Sequence, residues 1–390
     1  MIAVDDALNQ LLKLARSLEI EFVPIANAVG RILAEDVTAK RNHPPFAMAS
    51  MDGYAVNAQG RAQQKEFEVV GEAAAGHRFE HTIAPGQAVR IFTGAPVPSG
   101  TDFVVIQENV RRVGTKITLT ERPKNSANIR PKAYDFNNEY CMTTPRKLCH
   151  RDIALLAAMG TNEVPVRRKA VIALISNGDE LVMPGETPGR DQFFASNALG
   201  LKALFDEQGA DTHVLPIARD NLISLREQFE SSANADIILA IGGASVGDYD
   251  LVGTAANEMG LKRIFYKVAM RPGKPLMAGR LGSSLMIGLP GNPVSALVCG
   301  HVFVLPVLRK MQGLRGIQQT LESAILNTSL KENGPRAHYM RAVVKRGRAT
   351  PFARQDSSLL TVFAQANALL VRPPHDRQRP SGDQINFLPI

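Results

Sequence analysis

The sequence predicts a multidomain α/β protein, with a doubly wound α/β domain set between a β-rich N-terminal region and a small β C-terminal domain. Three patterns carry that prediction. Residues 169–313 alternate apolar strand-like runs with helical segments, residues 46–138 hold β-like runs cut by Gly and Pro, and residues from about 320 onward read as short strands. The boundaries drawn from pattern are 1–45 with 138–168 for a helical and extended linker domain, 46–137 for the β-rich domain, 169–315 for the α/β domain and 316–390 for the C-terminal β domain.

Taken in order, Val4, Leu8, Leu11, Ala15 and Leu18 keep helical spacing, so the chain opens on an amphipathic helix. It turns extended near Pro24 and Asn42-His43-Pro44-Pro45. In the β-rich region, residues 67–70, 88–92 and 103–106 are the apolar runs, and a helix over 151–159 is closed by Gly160. Residues 170–175 form a continuous apolar run, as expected for a strand buried on both faces. A helix over about 197–208 stops at Gly209, a strand follows over 214–218, and a helix over about 222–231. Residues 236–241 and 264–270 read as the third and fourth strands. A hairpin over 276–281 and 285–289 leads into a long helix over 293–311.

Composition narrows the function classes. A chain of 390 residues suits about two to four domains, and 45% apolar with 21% charged residues is the balance of a soluble globular protein. No run nears the ~18 apolar residues of a membrane span, and Asp5 and Asp6 stand where a signal peptide is basic. The three cysteines (Cys141, Cys149, Cys299) have no metal-ligand spacing, so a reducing cytoplasm is the expected setting. The charge of +8 is scattered along the chain without a nucleic-acid motif, which points away from nucleic acid and toward anionic ligands.

The loops leaving the C-terminal ends of parallel strands gather along one sheet edge, where ligands bind. Here they read Ser176-Asn177-Gly178-Asp179-Glu180, then Arg219-Asp220, then Gly242-Gly243-Ala244-Ser245-Val246-Gly247-Asp248-Tyr249-Asp250. Arg271-Pro272-Gly273-Lys274-Pro275 and Pro290-Gly291-Asn292-Pro293 complete the set. Glycine loops let backbone amides approach an oxyanion, Lys267, Arg271 and Lys274 neutralise it, and Glu180, Asp220 and Asp250 can hold Mg²⁺ against phosphate oxygens. Each piece alone has a structural reading: Asn292-Pro293 is an ordinary helix start, and Gly242-Gly243 a tight turn. Neither Gly-x-Gly-x-x-Gly nor a P-loop pattern occurs. The residues suit a phosphorylated ligand with a metal, without naming it.

The same motifs carry a resemblance. Residues 242–250, Met270-Arg271-Pro272-Gly273-Lys274-Pro275 and Leu289-Pro290-Gly291-Asn292-Pro293-Val294-Ser295 resemble the signature series of the MoeA family, the molybdopterin molybdenumtransferases that include the gephyrin E domain. Pro44-Pro45-Phe46, Met51-Asp52-Gly53-Tyr54-Ala55-Val56 and Phe92-Thr93-Gly94-Ala95-Pro96-Val97-Pro98 extend the likeness over nearly the whole chain. The resemblance implies an elongated homodimer that places molybdenum from molybdate on adenylated molybdopterin and releases AMP, with Mg²⁺ as cofactor. It also leaves room for the pathway's adenylating enzyme as a partner.

By motif position, Asp52 and Thr93 would face the partner subunit's ligand site, while Asp135, Glu180, Asp220, Asp250 and Lys267 would handle the adenylated pterin and the metal. Gly242, Gly243, Ser245, Gly247, Gly291 and Asn292 would hold the nucleotide and pterin. Arg271, Lys274, Pro275, Ser295, Arg341 and Ser357 would form the molybdate pocket. Such a pocket suits a tetrahedral dianion, which takes cations, a hydroxyl and backbone amides. Departures from the family pattern fall at Ala47, at Ala133 and Tyr134 (in place of Gly-Glu), at Asn177, at Ala195, at Arg271 (in place of Lys) and at Asp356 (in place of Gly). The alternatives are a non-catalytic pterin-binding or scaffolding paralogue, and a molybdopterin adenylyltransferase.

Overall fold

A computed structural model describes residues 1–57, 65–121, 127–242, 251–317 and 320–390. The opening helix is Val4–Leu14, with Val4, Ala7, Leu8 and Leu11 on its buried face. That face does not pack on the sheet that follows it in sequence. It joins Ile172, Leu174, Leu239, Ile287, Phe303 and Leu308 in the core of the α/β unit. Fully burying one such leucine contributes about 1.5–3 kcal/mol, so both ends of this stretch of chain stabilise one core.

Near the N-terminus a four-stranded sheet runs in the order Ile20–Pro24, Glu163–Arg167, Ile32–Leu33, Arg146–Lys147. Helix His150–Ala158 lays Leu156 against Leu33, Val164 and Val166, and Gly160 follows at φ +82°. The β-rich region is a six-stranded sheet in the order Phe103–Ile106, Gly53–Val56, Gln87–Ile91, Glu66–Ala73, Lys116–Leu119, Val110–Val113. Both its faces are covered. Ala55, Val89, Ile91 and Val104 pack on one, and Tyr54, Val56, Phe67 and Ile117 on the other.

The α/β sheet has the order Asp211–Val214, Val171–Ser176, Ile237–Ile241, Ser284–Leu289, Met277–Leu281, Lys262–Tyr266. The first four strands are parallel, and the last two are joined through antiparallel ladders. Lys262–Tyr266 therefore runs in the direction of the parallel set, and the loop leaving it emerges at the same edge.

Several expectations are corrected. The second strand is Asp211–Val214 rather than residues 214–218. It is the sheet's outer strand and half exposed, and the polar Asp211 and His213 leave it without a continuous apolar run. The fourth strand ends at Tyr266 rather than at residue 270, because Met270–Arg271 leaves to pair with Ala337 and His338 of the C-terminal domain. The long helix is Pro293–Cys299 and Leu305–Met311 joined by a π turn, Gly300–Val304. Although Pro293–Met311 is apolar and long enough to cross a bilayer, 78% of its apolar window is buried inside the protein, as in a core helix.

The C-terminal strands close on themselves. Ala337–Lys345 pairs with Arg348–Pro351 on one side and Ala368–Arg372 on the other, and Glu322–Leu326 and Gln384–Pro389 complete the ring. Closure removes the free sheet edge that an open sheet would expose. Ala342, Leu370, Ile385 and Phe387 fill the interior, while Ala337, Tyr339, Leu369 and Leu388 belong to the core shared with the α/β unit. A short helix, Leu360–Gln365, was not foreseen from the sequence.

Candidate active site

Strand ends place the loops as the parallel topology requires. Residues from the loops after Val171–Ser176, Asp211–Val214, Ile237–Ile241 and Ser284–Leu289 line one cavity of about 1210 Å³. Of the expected residues, Glu180, Asp220, Gly242, Pro275, Gly291 and Asn292 are brought together there. Gly178 and Gly242 show why glycine is needed. Gly178 has φ +145°, and a Cβ there would collide with the Glu180 carboxylate. Gly242 has φ +95°, and a Cβ would lie 3.1 Å from the Asn177 carbonyl oxygen. The Asp220 amide donates to the Asp179 carboxylate at 3.3 Å and the Asp179 amide to the Asp220 carboxylate at 3.4 Å, which locks the two loops together.

Gly243, Ser245, Gly247 and Asp250 lie outside the described residues. Among the described residues no group of three or more His, Cys, Asp or Glu side chains is arranged to hold a metal ion. Two carboxylates, Glu180 and Asp220, face the cavity. That suits Mg²⁺, which takes one or two protein carboxylates and fills its shell with substrate phosphate oxygens and water.

The cationic residues are placed differently. Arg271 and Lys274 are exposed and do not line the cavity. Lys267 is half-buried at φ +68°, with Nζ 5.4 Å from the centre of the Tyr266 ring. The C-terminal barrel reaches the cavity through Ser358. Beside it, Asn292 Nδ2 donates to Ser357 Oγ at 3.1 Å, and the Val294 amide donates to the Ser357 carbonyl. Ser295 is buried in the first turn of the same helix.

Arg341 is 0% exposed. Its Nη2 donates to the Asp356 carbonyl at 3.1 Å, while Nε and Nη1 have no partner among the described residues. Burial lowers its pKa, the Asp356 carboxylate opposes that shift, and Arg271 adds to it. Burial also pushes the neighbouring His338 down to about 4, with Arg271, Arg372, Arg341 and Arg336 adding to the shift. The Asp356 carboxylate is itself held by Ser358, accepting from its amide at 2.9 Å and its hydroxyl at 2.6 Å.

Asp52 and Thr93 meet in the β-rich domain. One Asp52 oxygen accepts from the Thr93 amide and hydroxyl, both at 2.8 Å. The Thr93 amide, then its hydroxyl, hold this carboxyl below its usual range. Neither residue lines the cavity of its own chain, and nor does Asp135, an exposed turn residue.

Sequence reasoning missed Phe193, Phe194, Asn197 and Ser358. Asn197 Nδ2 donates to the Gly291 carbonyl at 2.7 Å and ties helix Ser196–Glu207 to the last loop. Two adjacent phenylalanines in a polar stretch, in a chain only 6% aromatic, were the available signal. At the opposite edge of the sheet lies a smaller cavity of about 320 Å³, where Arg168 pairs with Asp236 and Glu19. Its arginines serve the fold: Arg280 donates to the carbonyl of Leu14 at the end of the first helix.

Comparison with known proteins gives three family matches along the chain. Residues 2–160 match the MoeA N-terminal region (domains I and II). Residues 173–310 match the probable molybdopterin binding domain, and residues 323–390 the MoeA C-terminal region (domain IV). A molybdopterin molybdenumtransferase of Nostoc is 35% identical over 98% of this chain and 91% of its own length. One from Haemophilus influenzae is 32% identical over 100% of this chain and 99% of its own. A solved molybdopterin biosynthesis MoeA protein from Pyrococcus horikoshii OT3 superposes with a TM-score of 0.83 at 26% identity, covering 100% of both chains. The order of the three matches, their span and these identities show that the chain belongs to the MoeA family.

Proposed function

We propose that the protein is a transferase of molybdenum cofactor biosynthesis that inserts molybdenum from molybdate into adenylated molybdopterin and releases AMP. The observation that carries the reading is Arg341, a fully buried guanidinium of the barrel with two donors unpartnered among the described residues, joined through Asp356 to Ser358, which lines the cavity of carboxylates and glycine loops. A buried unpartnered donor is costly, and a tetrahedral dianion is the ligand that satisfies it.

Arg341, Ser295 and Ser357, with Pro275 in the cavity wall and the exposed cations Arg271 and Lys274 outside it, are the candidate molybdate residues. Gly242, Gly291 and Asn292 present the backbone to the phosphates. Glu180 and Asp220 would hold Mg²⁺, which when bound would neutralise the pyrophosphate oxygens as the anhydride is cleaved. Water adds at phosphorus, the phosphoanhydride P–O bond breaks and AMP leaves. The two dithiolene thiols bind molybdenum, their protons leave with one oxide ligand as water, and the oxidation state does not change.

Asp52 and Thr93, preorganised yet away from their own chain's cavity, support a homodimer in which each subunit completes the other's site. A cytoplasmic setting, and delivery of substrate by the pathway's adenylating enzyme, go with this reading. The regions flanking the α/β unit weigh against the chain being an adenylyltransferase itself, and the two cavity carboxylates against a purely scaffolding role.

The test is AMP release from adenylated molybdopterin with and without molybdate and Mg²⁺. Release dependent on both, with transfer of active cofactor to an apo-enzyme, is expected. Tight binding without turnover would identify a carrier instead.

A further inference from the structure

Two aromatic rings stand at the mouth of the large cavity with no role in the chemistry above. Phe193 is 68% exposed and Phe194 48% exposed, and both line the cavity. The backbone beneath them is fixed. Phe193–Phe194 pairs in parallel with Leu181–Val182, the Phe193 amide donates to the Glu180 carbonyl at 2.7 Å, and the Ala195 amide to the Val182 carbonyl at 2.8 Å. Among the described residues, neither ring has an aromatic or cationic partner. Leaving such rings in water forgoes the large apolar area each can bury, which a fold-building role does not explain.

Position selects the occupant. The segment is hydrogen-bonded to Glu180, on the carboxylate side of the cavity, whereas Ser358 and Asn292 mark the barrel side next to Arg341. A dithiolene that receives molybdenum must lie on the barrel side, so the ring beyond the phosphates on the Glu180 side is that of the leaving nucleotide. We propose that Phe193 and Phe194 form a stacking wall for the purine ring of the adenylated substrate. This assignment rests on the insertase reading and adds to it a determinant of substrate choice, since stacking on an aromatic face recognises a planar ring without base-specific hydrogen bonds.

The chain has no tryptophan, so Phe193→Trp places a single indole at the wall. AMP is expected to quench its emission saturably, and ribose 5-phosphate, which lacks the ring, to leave it unchanged. Phe193→Ala and Phe193→Leu are expected to raise the KM for adenylated molybdopterin about tenfold with a smaller fall in kcat, and Phe193→Tyr to restore it. Quenching by 6-hydroxymethylpterin in place of AMP overturns the assignment. So does calorimetric AMP binding to the wild-type protein together with an unquenched indole and an unchanged KM in Phe193→Ala; both results leave the insertase reading standing. Failure of the wild-type protein to bind either AMP or adenylated molybdopterin in the calorimeter removes that reading and the wall with it.

Discussion

Two arginines buried in the same barrel invite comparison. Arg372 and Arg341 lie on paired strands, Ala368–Arg372 and Ala337–Lys345, and both are withdrawn from water. Arg372 is satisfied: Nε donates to Asp376 at 2.9 Å, Nη1 to the Lys331 carbonyl at 2.7 Å and Nη2 to the Arg377 carbonyl at 2.9 Å. Among the described residues, Arg341 makes one side-chain bond, to the Asp356 carbonyl, and leaves Nε and Nη1 orphaned. Burial is the same and satisfaction is not. The first arginine closes a loop onto the barrel, while the second holds donors in reserve for a ligand, at a cost the isolated fold does not recover.

The comparison can be broken by substitution. Arg372→Met strips a buried carboxylate and two carbonyls of their donor, so a loss of about 3–5 kcal/mol in urea-melt stability is expected. Arg341→Met removes orphaned donors instead. Its stability should be unchanged or higher, while the molybdate concentration needed for half-maximal AMP release rises about tenfold to a hundredfold, the size of a lost charge-assisted hydrogen bond. If Arg341→Met melts as early as Arg372→Met, the distinction fails.

Acid provides the next test. Burial alone would raise the Asp376 pKa, but hydrogen bonds from Arg379 and Arg372 outweigh it and hold the group below the usual carboxylate range. A depressed folded-state pKa gives stability that is present above the unfolded value of about 4 and lost as pH falls through the folded one. Melts of the wild-type protein below about pH 4 should show that loss, and Asp376→Asn should show a shallower acid limb. An identical limb in the variant would mean that other carboxylates control acid unfolding.

The smallest effect concerns strain. Ala133 sits at φ +60°, a conformation costing an L-residue about 1–2 kcal/mol. Ala133→Gly is expected to stabilise by about 0.5–1 kcal/mol after the entropy of the unfolded glycine is charged against it. An unchanged or lower midpoint would show that the turn relaxes around alanine.

How much of this was legible in the sequence depended on local patterning. Helix Leu222–Ser231 agrees with its sequence limits, because Asn221 caps it through Ser224 N and Leu225 and Phe229 set its buried face. The carboxylates and glycines of the cavity were found because parallel topology alone dictates where strand-end loops gather. Strand Asp211–Val214 was misplaced because an outer strand carries no continuous apolar run. The departure of Met270–Arg271 into the barrel is a pairing across 67 residues of sequence that no local pattern encodes. Arg341 was reached through family resemblance alone; that its donors are unpaired is a property of the packed barrel. Phe193 and Phe194 escaped notice because a two-residue strand carries no periodicity, and its exposed aromatics stand out only once a cavity is seen beside them.

The first helix has a consequence for how the chain is made. Val4–Leu14 is synthesised long before Phe303 and Leu308, which complete its buried face. At typical synthesis rates the intervening chain takes on the order of tens of seconds to emerge. Throughout that interval the core around the helix is incomplete, and an isolated helix of this length is marginal in water. The nascent chain therefore carries an incompletely covered apolar face, open to capture by a chaperone, until Phe303 and Leu308 have been made.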